Sequence, residues 1–226
     1  MIAIIDNDVI LKLARWDLLS ELTTLLGGDG KRIYYLSTCI PALCGRPARM
    51  KRTGCDQASA ERIRNFCSSA NTLRAIPKAS TLELLAGIPE IDVGEVQIFA
   101  ISSVDADAIT YMGDKRSLVA LAATPAARSV ALLLAGRVKC LEQVIGELIL
   151  QSDVEIVGQR VLACRPIADT AITIAFSGHP GVRPEPQVWE ALYSYYQDLR
   201  HATGDLLAPF PSIREHDSSS PPQSVP

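Results

Sequence analysis

The chain has 226 residues, 48% hydrophobic and 21% charged, with a formal net charge of −3. That is enough apolar material for one full-sized core with an extension, and too little positive charge for a uniformly basic nucleic-acid binder. No run reaches the roughly 20 apolar residues of a membrane helix, and the start from Met1 to Asp6 lacks the cationic segment of a signal peptide, so a cytoplasmic protein with no membrane partner is expected. Six cysteines without a C-x-x-C pair are expected as reduced, mostly buried thiols rather than zinc ligands.

In chain order, Ile2, Ala3, Ile4 and Ile5 suit a central strand, after which Asp6, Asn7 and Asp8 offer capping oxygens to a helix running to about Leu26. Gly27, Gly28 and Gly30 end that helix, and Ile33 to Leu36 reads as a second strand. Pro41 interrupts whatever element lies between Thr38 and Leu43. Arg46, Arg49, Lys51 and Arg52 follow, in a stretch that Gly45, Pro47 and Gly54 mark as a loop. Residues 58–70 have helical character, 73–76 suit a short strand and 81–86 a short helix. Val93, Val96, Ala100 and Val104 recur at spacings of three and four, which predicts a helix from Asp92 to about Val104. Ala108 to Met112 is the next strand, and Gly113 opens the turn that presents Asp114. Helices are expected over about 125–135 and 141–150, with Gly136 as the stop between them, and this strand-helix alternation favours parallel pairing. Beyond Val154 the pattern weakens, although Trp189 to Arg200 reads as a helix with Trp189, Leu192, Tyr196 and Leu199 on one side. The expected organisation is an α/β domain over 1–150, a mostly helical extension over 151–213 and a polar, proline-rich, disordered tail over 214–226.

The acids carry the functional signal. Asp6 and Asp114 each follow an apolar strand-like run, and Glu95 stands at a helix start just before the second of those runs. Each has a structural explanation of its own. Asp92 and Glu95 have capping-box spacing, Asp6 or Asp8 could cap the first helix, and Asp114 could be a turn residue. Together they suggest more, because strand carboxyl ends and helix starts of an open α/β sheet converge on one rim. The three carboxylates are therefore expected within reach of one Mg²⁺ or Mn²⁺, with Asp8 and Asp92 as further candidate ligands. Lys115 and Arg116 beside Asp114, and the cluster of Arg46, Arg49, Lys51 and Arg52, are the candidate contacts to a phosphate backbone.

Three segments carry a family resemblance: Ile4 to Ala14, Ile91 to Ala100 and Ile109 to Leu118. They resemble the PIN-domain family of metal-dependent ribonucleases, in which the first strand, a later helix start and a Gly-Asp-Lys-like turn each deliver an acid. Those roles map onto Asp6, Glu95 and Asp114. The resemblance implies a three-layer α/β/α sandwich with a mainly parallel central sheet, and cleavage of single-stranded RNA. It also implies pairing with a small antitoxin protein or a role in RNA processing, and it allows a homodimer. Two features depart from the family pattern: Thr38 to Cys44 carries no acid after the second strand, and Met112 stands where Thr or Ser is common. Asp6 and Asp8 also look like the Asp-x-Asp start of haloacid-dehalogenase-like phosphatases, but Gly113 to Leu118 lacks that family's second acid. A non-catalytic PIN-like RNA-binding or interaction scaffold is the third reading.

Overall fold

The computed structural model describes residues 1–212 apart from Ala75, so the tail expected to be disordered lies outside the described residues. Five short strands build the main sheet: β1 (Ile2–Ile5), β2 (Ile33–Tyr35), β3 (Asn71–Thr72), β4 (Ala108–Met112) and β5 (Val138–Cys140). Their order is β3-β2-β1-β4-β5 and every neighbouring pair is parallel. β1 sits in the middle because it is apolar on both faces. Ala3 and Ile5 enter one buried cluster and Ile4 the other, leaving no side that prefers water.

From β1 to β3 the chain passes through α1 (Asn7–Arg15), α2 (Leu19–Leu25), α3 (Cys39–Leu43), α4 (Pro47–Thr53) and α5 (Gln57–Ser69). Their buried Leu13, Leu22, Leu43 and Ile63 join the cluster of Ile5. The path from β3 to β5 uses α6 (Ala79–Ala86), α7 (Val93–Ser102), α8 (Lys115–Ala123) and α9 (Arg128–Leu134), whose Leu85, Phe99, Leu118 and Leu134 join the cluster of Ile4. Helices thus flank both faces of a parallel sheet, as expected. The crossovers change face between β1 and β4, which makes the carboxyl ends of those two strands the switch point of the sheet.

Local departures from the sequence pattern have physical reasons. The helix expected to run to Leu26 breaks after Arg15, because Trp16 and Leu18 are both fully buried and the chain turns between them through Asp17 at φ 59°; Asp is one of the few side chains that tolerates this conformation. The basic stretch expected as a loop is the short helix α4, with Pro47 in its first turn and Gly54 closing it at φ 67°. The strand expected over 73–76 is displaced to Asn71–Thr72, where it pairs with Tyr34 and Tyr35.

Helices α10 (Leu141–Gln151), α11 (Val154–Ala163), α12 (Thr170–Phe176) and α13 (Glu185–Thr203), with a small antiparallel hairpin of β6 (Ser177–Gly178) and β7 (Gly181–Val182), complete the molecule. They are integral to the core. Val188, Trp189 and Leu192 enter the first cluster, and Tyr196 and Leu199, further along the same helix, enter the second. After α13 the chain runs past β5, where the Ala208 amide donates to the Val138 carbonyl at 2.7 Å and the Tyr196 hydroxyl donates to the Ala208 carbonyl at 3.0 Å. Among the described residues no single helix is long and apolar enough to cross a membrane. All six cysteines are free and buried.

Candidate active site at the sheet switch point

Asp6 is the residue immediately after β1 and the N-cap of α1, where its carboxylate accepts the Asp8 amide at 3.3 Å. Two places beyond the end of β4, Asp114 caps α8 by accepting the Arg116 amide at 2.8 Å. Asp92 and Glu95 open α7 as a complete capping box: Asp92 Oδ1 accepts the Glu95 amide and Glu95 Oε2 accepts the Asp92 amide, each at 2.9 Å. The four acids are thus fixed by helix starts. Those starts meet at one rim because the strands are parallel and the crossovers change face there.

A cavity of about 1070 Å³ opens at this rim, and Asp6, Asp8, Asp92, Glu95 and Asp114 all line it. Lys12, Arg49 and Arg116 are its cations, so five carboxylates face three positive charges. Gly113 lets the turn after β4 close on α1: a Cβ there would lie 2.2 Å from Asp8 Oδ2.

The charges fall into two groups. Asp6 and Glu95 are buried, at 6% and 4% exposure, and neither forms an ion pair with a cation among the described residues. Burial, with the Asp8 and Asp92 charges adding to it, pushes the Asp6 carboxyl up to about 7. Burial also pushes Glu95 up to about 7 against the Asp92 amide and the Ser117 hydroxyl, with Asp92 and Asp6 as further like charges. The other group is compensated. Arg116 holds Asp114 below the usual carboxylate range, pairing with it at 2.7 Å, and Asp8 pairs with Lys12 at 2.7 Å. Lys12 also reaches Asp169, the N-cap of α12, at 3.0 Å.

The expected ligands therefore share one cavity, but among the described residues no three His, Cys, Asp or Glu side chains stand close enough to enclose a metal ion. The reasons are local: Glu95 is folded back on the Asp92 amide, Asp114 is turned to Arg116, and Asp8 is turned to Lys12. The expected phosphate contacts divide as well. Arg49 and Arg116 line the cavity, whereas Arg46, Lys51 and Arg52 do not. Lys115 pairs with the buried Glu142 and stands 5.5 Å over the Tyr195 ring. It lines, with Arg116, a neighbouring groove of about 570 Å³.

Three residues escaped the sequence reading. Lys12 lies one helical turn after Asp8, a spacing that could have revealed the pair. Asn7 stands between two candidate acids, and its Oδ1 is buried without a hydrogen-bond partner among the described residues. Asp169 carries no local signal, since it reaches the rim only through the packing of α12. The wall that α3 presents to the cavity consists of Thr38, Ala42 and Leu43, so no acid enters from that side.

Compared with models of known protein families, with curated proteins and with solved structures, the chain matches none. The functional reading therefore rests on the site itself.

Proposed function

We propose that this chain is a divalent-metal-dependent endoribonuclease of PIN-domain type, acting on single-stranded RNA. The observation that carries the reading is the pair of buried carboxylates, Asp6 and Glu95, left without a counter-charge among the described residues at the switch point of the sheet. Burying an unpaired charge is expensive, and such groups are retained where a cation or a reaction uses them.

The donor chemistry suits a hard cation, and closing on one requires Glu95 to leave the Asp92 amide and Asp114 to leave Arg116. The donor set is all oxygen, and the cavity carries a formal excess of two negative charges. Asp6, Glu95 and Asp114 would hold Mg²⁺ or Mn²⁺, with Asp8 and Asp92 next to them. A cation there would supply Lewis-acid polarisation of a phosphodiester and a water of lowered pKa. The chain's own part is positional. The caps of α1, α7 and α8 fix where the acids stand, while Arg49 and Arg116 flank the cavity to take the phosphates on either side of the scissile bond. Unpaired RNA suits such a rim because its backbone can bend into the cavity without a helix to open.

The test is cleavage of a labelled single-stranded RNA with Mn²⁺ and with EDTA. Wild-type protein should cleave only with metal, and Asp6→Asn should lose at least about 100-fold in rate, the scale expected when a charge-stabilising group is removed. Incubation with a phosphomonoester followed by acid quench should leave no acyl-phosphate on Asp6, because a ligand is not a nucleophile. A covalent phospho-enzyme would establish the phosphatase reading instead, and RNA binding without metal-dependent cleavage would establish the scaffold.

A further inference from the structure

Cys39 and Cys67 form a pair of thiols that the cavity chemistry does not use. Cys39 opens α3 and Cys67 lies in the last turn of α5, 28 residues further along, yet their sulfurs stand 4.0 Å apart inside the first apolar cluster. A disulfide brings its sulfurs to about 2.05 Å, so the pair has roughly 2 Å to close. The two thiols are not equivalent, since Cys39 is fully buried while Cys67 keeps 6% of its surface exposed. The Cys39 thiol, together with the Tyr35 hydroxyl, holds Cys67 below the ordinary thiol range against the effect of burial, and the same contact raises Cys39. Cys44 and Cys55 are buried in the same cluster but form no sulfur–sulfur hydrogen bond among the described residues.

We propose that Cys39 and Cys67 are a peroxide-oxidisable dithiol whose disulfide ties α3, a wall of the cavity, to α5. Cys67, the more accessible sulfur, attacks one oxygen of a peroxide as its thiolate. The O–O bond breaks, Cys67 becomes a sulfenic acid, and the departing hydroxide takes up a proton and leaves as water. The Cys39 sulfur then displaces the sulfenic oxygen, which leaves as a second water carrying the Cys39 proton. Two thiols are oxidised and one peroxide is reduced. The consequence falls on α3 because that helix is five residues long and has no side-chain cap at its start, so little besides packing holds it. Thr38, beside Cys39, and Ala42 and Leu43 within α3 all line the cavity, so the state of the dithiol reaches that wall. None of this needs a metal or an RNA.

Hydrogen peroxide is the probe, added to the reduced, desalted full-length chain at neutral pH, with remaining thiols then alkylated under denaturing conditions. The intact mass should show the loss of two hydrogens, digestion without reductant should give one peptide pair joined through Cys39 and Cys67, and dithiothreitol should reverse both. The melting temperature of the oxidised chain should rise by about 5 °C, as closing a loop of this length gives in a chain of this size. The Ala42 and Cys44 amides, which close α3 on the Thr38 and Ile40 carbonyls, should exchange at least about 10-fold more slowly. Cys39→Ala should leave a sulfenic acid on Cys67 that dimedone traps, and Cys67→Ala should give neither adduct nor cross-link. Should either variant fail to fold, the peptide map and amide exchange of the wild type decide alone. All six thiols still alkylatable after peroxide, or a disulfide through Cys44 or Cys55 in place of this pair, overturns the inference. A Cys39–Cys67 bond that leaves α3 exchange unchanged overturns it too, because the bond then locks nothing.

Discussion

Asp6 and Glu95 set the direction in which stability runs with pH when no cation is bound. Both have a folded-state pKa of about 7, above their ordinary values of 3.8 and 4.5. Between those values the folded chain binds more protons than the unfolded one, so stability is greatest at the acidic side of the window and falls as pH rises through 7. In EDTA the melting temperature should therefore drop from pH 6 to pH 8. Asp6→Asn should raise it at pH 8 by about 5 °C, as relief of a kcal/mol or two gives in a chain of this size, and should flatten the slope. Excess Mn²⁺ should lift the wild type at pH 8 and leave Asp6→Asn unmoved. A melting temperature that climbs toward pH 8 in EDTA would remove the argument from buried, uncompensated carboxylates. Gly113 is the second point of leverage, since Gly113→Ala puts a methyl 2.2 Å from Asp8 Oδ2 and 3.0 Å from Asp8 Cβ. The Asp8–Lys12 pair must then move, and a loss of about 1–3 kcal/mol in chemical denaturation is expected, as for other overpacked positions.

Among the elements, α4 is where sequence and structure part most usefully. Four cations without an acid suggested one RNA-binding loop, but the helix splays them and only Arg49 reaches the cavity. Arg49→Glu should therefore weaken RNA binding and reduce its salt dependence by about one unit of slope, the loss of one phosphate contact. Arg52→Glu should do much less; equal effects from the two would return the whole stretch to the RNA surface. Much of the candidate site is legible from local pattern: that Asp6, Glu95 and Asp114 line one rim follows from strand ends and helix starts that leave marks in the sequence, and the Asp92–Glu95 box follows from its spacing. The orientation of those carboxylates is not, because it depends on which neighbour each one finds. β4 fell where its apolar run placed it, whereas β5, with only Val138, Lys139 and Cys140, is too short for a periodic signal. The break after Arg15 was hidden as well, since it depends on the burial of Trp16 and Leu18 rather than on any local helix-breaking residue.

For the molecule as a whole, the helices after Gln151 are structural partners of the sheet. Phe176, Val188 and Leu192 are fully buried, and Tyr196 is 1% exposed. A chain ending at Gln151 would expose that core, so truncation there should give an aggregating or molten product with no cooperative melt, not a smaller active nuclease. A sharp transition from 1–151 alone would mean that the extension is dispensable. The carboxyl-terminal segment has one more consequence. By running along β5 it seals that side of the sheet, and the strand at the far side, β3, is two residues long and pairs only with β2 among the described residues. A ribbon that grows by adding strands needs two free margins on every subunit, and this sheet offers one. Association through its backbone can join two copies and then stops, which excludes fibres of folded subunits extended by that route.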